Sequence, residues 1–197
     1  MNRDEILLIY DQNLNELGSE LRSKIHREGL LHQVVHCWII SELEGEKWIY
    51  FQQRSYKKKD FPGLYDISAA GHLSIGEDPD AAVKRETHEE IGITMEKENL
   101  KFIGTIKETM HLDNFYNNEI CEVYFYFTEN TKFILGPEVE KMIKVTLGEF
   151  KKLILNNSKQ IEALSIDGEC KFTINKDEFC AHEKEYLKFV IKSLENL

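Results

Sequence analysis

The chain contains 197 residues, of which 42% are hydrophobic and 30% charged, with only 3 Pro and 11 Gly. This composition excludes collagen-like, low-complexity and mostly disordered chains, and the length suits a single domain over residues 1–197. With 25 Lys and Arg against 35 Asp and Glu, the formal net charge is -10. A field of that sign disfavours binding to a nucleic-acid polymer.

Apolar runs are short throughout the sequence. None approaches the roughly 18 to 20 residues that a membrane-spanning helix requires, and the N-terminus lacks the features of a signal peptide. The four cysteines are widely spaced and form no C-x-x-C pair, which predicts reduced residues that serve packing. We therefore expect a soluble, cytoplasmic protein with no membrane partner.

In the N-terminal part of the chain, runs rich in β-branched and aromatic residues predict strands. Residues 1–30 are interpreted as an N-terminal extension, in which a strand at 5–10 and a turn at 11–13 open a hairpin. The next predicted strands cover 33–41, 47–53 and 64–73.

The pattern then changes to that of a helix. Asp78 suits the N-cap, Pro79 suits the first helical position, and Gly92 suits the C-terminal end. Further on, strands are predicted at 101–110 and 120–128, and helices at 147–155 and 176–194. Residues 156–178 are polar, so the region 156–197 is interpreted as a long excursion followed by a helix.

Three glutamates lie close together on the first predicted helix. Glu86, Glu89 and Glu90 stand at i, i+3 and i+4, so their side chains project from one face. A solvated acidic face is the simplest interpretation of such a cluster. A functional interpretation is a site for a hard divalent cation, Mg²⁺ or Mn²⁺, which would offset the repulsion between the carboxylates.

The surrounding stretch, GHLSIGEDPDAAVKRETHEEIGI at 71–93, resembles the Nudix box, G-x5-E-x7-R-E-U-x-E-E-x-G-U, where U is bulky and apolar. The matching positions are Gly71, Glu77, Arg85, Glu86, Glu89, Glu90, Gly92 and Ile93. Thr87 departs from the pattern at the first U position. The resemblance implies the Nudix α/β/α sandwich, with a mixed β-sheet, an N-terminal hairpin and a C-terminal helix.

By that resemblance, Glu86, Glu89 and Glu90 hold the metal together with the carbonyl oxygen of Gly71. Glu89, Glu90 and Arg85 are the implied catalytic positions of the box. Arg85 orients the carboxylates with Glu77 as its partner, although a simple ion pair between these two explains their presence equally well. The implied reaction is attack of an activated water on a diphosphate.

The resemblance extends over roughly residues 1 to 155. In this range the sequence is similar to the branch of Nudix proteins related to isopentenyl-diphosphate isomerase. The segments that carry it are REGLLHQVVHCWI and QRSYKKKDFPGLYDISAAGHLSIGED. The isomerase uses a cysteine before its Gly-His pair, where this chain has Ala70, and that difference disfavours isomerase chemistry. Its Asn-Glu-[Val/Ile]-Cys segment is matched at 118–121, which makes Glu119 a further metal ligand or the general base. Glu122 is an alternative base, although strand alternation places it on the other face.

The resemblance to the isomerase branch also implies roles for several histidines and basic residues. His32 and His72 match metal-binding positions of the isomerase, with His26 as an uncertain third, although each could be a structural histidine. Arg54 and Lys58 match basic residues that contact a diphosphate, and a planar guanidinium suits bidentate binding of phosphate.

We therefore predict a hydrolase, dependent on Mg²⁺ or Mn²⁺, of a diphosphate bond. The expected substrate is a nucleoside diphosphate derivative, a nucleoside triphosphate or a related small molecule. The alternatives are an isomerase-like enzyme and a non-catalytic nucleotide sensor. A homodimer is compatible with the resemblance, because paired subunits are common in the family.

Overall fold

The computed structural model describes residues 4–112 and 115–197. The strands of this part, labelled β1 to β11 in chain order, are Ile6–Tyr10, Glu16–Leu21, Leu31–Leu43, Glu46–Arg54, Tyr65–Asp66, Ala69–His72, Leu100–Leu112, Phe115–Phe127, Val139–Thr146, Gln160–Ser165 and Lys171–Asn175. The α-helices, labelled α1 to α4, are Arg22–Glu28, Pro79–Ile91, Leu147–Ile154 and Lys184–Glu195.

These strands form one mixed sheet with the order β11-β10-β9-β4-β3-β1-β2 along its main path. The long strand β3 also pairs with β6 and, in parallel, with β8, while β7 pairs with β8. The pairing of β1 with β2 is antiparallel, which confirms the predicted N-terminal hairpin.

Both faces of the sheet are covered by helices. On β3, Val35, Cys37 and Ile39 face the side on which α2 packs. Trp38 and Ile40 face the other side, where they join residues of α3 and α4. This alternation of apolar side chains toward two helical layers confirms the predicted α/β/α sandwich.

Helix α2 begins and ends where the sequence predicts. The Asp78 side chain accepts a hydrogen bond from the backbone N–H of Asp80 at 2.9 Å, and Pro79 occupies the first turn. Gly92 ends the helix with a left-handed φ of 71°, a conformation that glycine adopts without steric cost.

The predicted helix at 176–194 is wrong in its first part. Residues 176–178 form a single 3₁₀ turn, which Asn175 and Glu178 close by a reciprocal capping box. The chain then runs extended, and the N–H of Cys180 donates to the carbonyl of Tyr65 at 2.8 Å. Only from Lys184 does the helix begin.

Four elements, β9, β10, β11 and α1, are absent from the sequence interpretation. The polar excursion contains the hairpin of β10 and β11, in which Ile161, Ala163 and Ile174 are buried. Strand β9 lies between β4 and β10. Helix α1 follows the N-terminal hairpin and places His26 toward the interior.

Among the described residues, no helix is long and apolar enough to cross a membrane. All four cysteines are free thiols, as predicted. Cys37, Cys121 and Cys180 are buried, in agreement with the predicted packing role, whereas Cys170 is exposed and the prediction is wrong for that residue.

Candidate active site

The three box glutamates of α2 differ in exposure. Glu90 is buried and accepts hydrogen bonds from Gln52 Nε2 at 2.9 Å and from the backbone N–H of Ala70 at 3.1 Å. The Glu86 side chain is 15% exposed, whereas that of Glu89 is 60% exposed. The three carboxylates on this helical face therefore lie at different depths, with Glu90 the most buried and Glu89 at the surface.

Gly71 makes room for Glu86. A Cβ atom built on Gly71 would lie 2.0 Å from Cδ of Glu86 and within 2.4 Å of both its carboxylate oxygens. Only a residue without a side chain allows the Glu86 carboxylate to lie against the backbone of β6. This close approach explains why the box begins with glycine, and it brings the Gly71 backbone next to the carboxylate of a predicted metal ligand.

Burial raises the pKa of Glu86 to about 7 and the pKa of Glu90 to about 8. The neighbouring charges of Glu89 and Glu86, respectively, add to these increases. Two partly desolvated carboxylates at this spacing are poorly accommodated as a pair of anions, and a divalent cation between them would reverse the sign of that interaction. The oxygen donor set therefore fits Mg²⁺ or Mn²⁺.

Arg85 holds the carboxylates of Glu77 and Glu86 in place. Its Nε and Nη2 donate to the two carboxylate oxygens of Glu77, each at 2.8 Å, and Nη2 also donates to the carbonyl of His72 at 3.0 Å. Nη1 donates to Glu86 at 2.6 Å. The hydrogen bond from Arg85 lowers the pKa of Glu77 to about 2. The predicted Glu77–Arg85 pair is present with bidentate geometry. The hydrogen bond from Arg85 to the carbonyl of His72 joins α2 to β6.

A cavity of about 210 Å³ lies next to Glu86 and Glu90. Its walls include eight of the residues selected from the sequence, namely His26, Arg54, Lys58, Gly71, His72, Glu86, Glu90 and Glu119. Arg85 and Glu89 are not among the described residues that form these walls. The fold therefore brings together predicted metal-binding and phosphate-binding positions from five separate parts of the chain.

The two predicted phosphate-binding cations already have partners within the protein. Arg54 Nη1 donates to Asp66 at 3.1 Å, and its other nitrogens donate to the carbonyl of Asp60. Lys58 forms an ion pair with Glu138. Both cations nevertheless line the cavity, so each is held in place by an internal carboxylate.

Glu119 and Glu122 lie on opposite faces of β8, as strand alternation predicts. Glu119 faces the cavity, accepts a hydrogen bond from Asn117 Nδ2 at 2.6 Å, and is only 6% exposed, and burial raises its pKa to about 7. Glu122 instead accepts hydrogen bonds from Gln33 at 2.8 Å and Thr105 at 2.7 Å. Of the two candidate bases, the geometry favours Glu119.

The three histidines with a possible metal role form one cluster. The rings of His26, His32 and His72 have centroids 5.3 to 5.8 Å apart, and one nitrogen from each lies within 4.8 Å of the others. Burial lowers the pKa of His26 and of His32 to about 3, which keeps both imidazoles neutral. His32 Nε2 is buried without a hydrogen bond and lies 3.9 Å from Glu119 Oε1. Neutral imidazoles next to a carboxylate are a donor set suited to a transition-metal dication.

His182 is one of the residues of the cavity wall that the sequence analysis did not select. His182 lies between two carboxylates, with Nδ1 at 2.9 Å from Glu108 and Nε2 at 2.8 Å from Asp66. Burial alone would lower the pKa of His182, but the two carboxylates outweigh it and hold the pKa well above the usual value. Because Asp66 also binds Arg54, His182 belongs to the network that fixes this phosphate-binding candidate. No local motif marks His182, since its partners are distant in sequence.

Comparison with known proteins gives concordant results. Residues 30–164 match the NUDIX domain family. Over 202 aligned residues, the chain is 30% identical to an uncharacterized Nudix hydrolase of Clostridium acetobutylicum, and the alignment covers 97% of each protein. An isopentenyl-diphosphate Delta-isomerase of Photorhabdus laumondii is 28% identical over 157 residues, which make up 79% of this chain and 87% of that enzyme. A solved structure from Deinococcus radiodurans has the same fold, with a TM-score of 0.60 at 18% identity over 78% of this chain and 91% of that one.

Proposed function

This chain belongs to the Nudix family and is a hydrolase of pyrophosphate bonds, and we propose that Glu86, Glu89, Glu90 and the carbonyl oxygen of Gly71 bind Mg²⁺ or Mn²⁺ for that reaction. The proposed substrate is a small molecule with a diphosphate bond, such as a nucleoside diphosphate derivative or a nucleoside triphosphate.

The observation that carries the proposal is the common cavity of the carboxylates and the basic residues. Glu86, Glu90 and Glu119 line the same 210 Å³ space as Arg54 and Lys58. A diphosphate needs cationic contacts on its oxygens, and its hydrolysis needs an activated water, so these two sets of groups must be adjacent. Glu89 would complete the metal ligands from the rim.

When bound, the divalent cation offsets negative charge that develops at phosphorus and lowers the pKa of the attacking water. Arg54 and Lys58 orient the diphosphate by binding its oxygens. Glu119 accepts a proton from the attacking water, and its raised pKa of about 7 matches a base that works near neutral pH. Arg85 keeps the Glu86 carboxylate in position.

The histidine cluster supports an alternative role for Glu119, as a metal ligand instead of the general base: His26, His32 and His72 would hold a transition-metal dication together with Glu119. The measurement is metal content and Co²⁺ absorption spectroscopy of the purified protein, compared with His72→Ala. One equivalent of Co²⁺ with a d–d spectrum that the variant lacks is expected. Identical spectra from the two proteins would exclude this site.

The main test is a screen of diphosphate compounds with Mg²⁺, in which phosphate-containing products are measured. Glu89→Gln should reduce kcat by roughly 100-fold or more, in line with the loss of a group that acts in the transition state. Glu185→Gln is the matched control, because Glu185 is an exposed glutamate of α4, remote from the cavity. Equal activity of Glu89→Gln and the native protein would remove Glu89 from the mechanism. Isopentenyl diphosphate belongs in the screen, since formation of its dimethylallyl isomer would favour isomerase chemistry over hydrolysis.

A further inference from the structure

A second and much larger cavity lies on the Trp38 face of the sheet. It measures about 940 Å³, is bounded by the sheet, α3 and the C-terminal segment, and is open to solvent on one side. Its inner wall contains the buried side chains of Trp38, Phe51, Tyr65, Phe150 and Leu153. Native interiors seldom leave space larger than a few water molecules, whereas small-molecule sites are commonly apolar cavities of about 300 to 1,000 Å³. The size and lining of this cavity are those of a binding site.

The large cavity adjoins the carboxylate cavity. Phe61, Asp66, Ile67, Cys180 and His182 line both spaces. A molecule whose charged end lies beside Glu86 and Glu90 would therefore have its other end directed at this shared wall.

The charge distribution limits what the large cavity can accept. Away from the mouth, the acidic and basic side chains of its wall among the described residues are Asp66 and His182, which pair with each other at 2.8 Å. The remaining acidic and basic residues that line it, Lys159, Lys176 and Asp177, are exposed at the mouth. A polar group placed against the aromatic wall would lose its hydrogen bonds to water without replacement. An apolar group meets no such penalty.

We propose that the large cavity binds a bulky hydrocarbon group attached to the diphosphate that the carboxylate cavity cleaves. This inference rests on the proposed function only in requiring that the diphosphate end lies beside Glu86 and Glu90. The preferred substrates are then diphosphates with a long apolar substituent, and short analogues bind weakly because they leave the aromatic wall empty.

Binding can be tested without turnover. The probes are the methyl and octyl esters of methylenediphosphonate, whose P–C–P linkage resists hydrolysis, titrated calorimetrically in the presence of Mg²⁺. Each methylene that leaves water for an apolar site contributes about fourfold in affinity, equivalent to about 0.8 kcal/mol. The octyl probe is therefore expected to bind at least 100-fold more tightly than the methyl probe.

Substitutions locate the binding site. Leu64 lines only the large cavity of the two, so Leu64→Trp should fill space there and raise the Kd of the octyl probe at least tenfold, with the Kd of the methyl probe unchanged. Ser158→Trp, at the half-buried mouth, is a second variant should Leu64→Trp fold poorly. Leu155→Trp is the matched control, because Leu155 is exposed and lies outside the cavity wall.

Equal Kd values for the two probes, no binding of either, or equal effects of Leu64→Trp and Leu155→Trp would overturn the inference. Failure of the proposed function would look different. Cleavage of every diphosphate compound would be absent, while the dependence of binding on chain length would persist.

Discussion

Gly71→Ala is expected to damage the metal site while the fold survives. The added Cβ would lie 2.0 Å from Cδ of Glu86, and ordinary van der Waals contact begins at 3.4 Å, so the carboxyl carbon must move by about 1.4 Å. The φ angle of Gly71 is outside the left-handed region, so alanine introduces no backbone strain. The clash is with the end of a flexible side chain, and it can be relieved by rotation of Glu86 away from the cavity.

A displacement of this size is large on the scale of a reaction site. A misplacement of about 1 Å can reduce the rate of catalysis by roughly 100-fold. We therefore expect kcat to fall by about that factor, and the Mg²⁺ concentration for half-maximal activity to rise by roughly 10- to 100-fold. The free energy of unfolding should change by no more than about 1 kcal/mol.

The assay is steady-state hydrolysis of the best diphosphate substrate over a range of Mg²⁺ concentrations, with urea unfolding of the same samples. Gly148→Ala is the control, because its added Cβ would have its nearest neighbour, Thr146 Oγ1, at an ordinary 3.6 Å. Native activity and an unchanged Mg²⁺ requirement in Gly71→Ala would refute the role of the Glu86 carboxylate.

Three further predictions concern stability. His182→Asn should lower the free energy of unfolding most below about pH 6.5, because the pKa of His182 is higher in the folded than in the unfolded protein. The stability that comes from this difference is fully present below the unfolded pKa and is lost as the pH rises through the folded pKa. Urea unfolding should therefore show a smaller difference between the native protein and the variant at about pH 9 than at about pH 6, and an equal difference at both would contradict this. Gly92→Ala should destabilise by about 1 kcal/mol or more, since its φ is 71° and the new Cβ would lie 2.5 Å from that of Ile134; an unchanged urea midpoint would show that the helix end adapts. Thr146→Ala should cost about 1 kcal/mol in the same assay, because Thr146 Oγ1 accepts the N–H of Glu149 at 3.1 Å as the N-cap of α3, and a loss near zero would mean that water replaces this cap.

Features set by neighbouring residues were predictable from the sequence. Asp78, Pro79 and Gly92 act within one helical turn of the ends of α2, so its limits follow from local rules. The faces of Glu119 and Glu122 follow from the period of a strand. In each case the physical cause lies within a few residues of its effect.

Features that depend on distant partners were not predictable in this way. Strand β9 loses its simple alternation because its pairing with β4 shifts at Arg54, so that Val139 and Val145 join different core clusters. The ion pairs of Arg54 with Asp66 and of Lys58 with Glu138 likewise unite groups from separate elements. The sequence suggested cations available to phosphate, whereas the fold supplies each with an internal anion.

The C-terminal helix shows how tertiary contacts override periodicity. Apolar residues at helical spacing suggested one helix from residue 176, yet Phe179 and Cys180 run extended beside Tyr65. This extended segment places His182 between Asp66 and Glu108. An uninterrupted helix from residue 176 would not have predicted that position. The helical pattern is correct only where the segment packs on the sheet.

The parallel pairing of β3 with β8 has a consequence for the order of folding. Its register sets His32 opposite Glu119, and a slip by one residue would turn Glu119 outward. Because β8 is synthesised long after β3, this pairing closes a large loop that already contains α2. The nascent chain therefore carries its box glutamates for some time before the opposing wall exists, and activity should emerge only after β8 has been synthesised and has paired with β3.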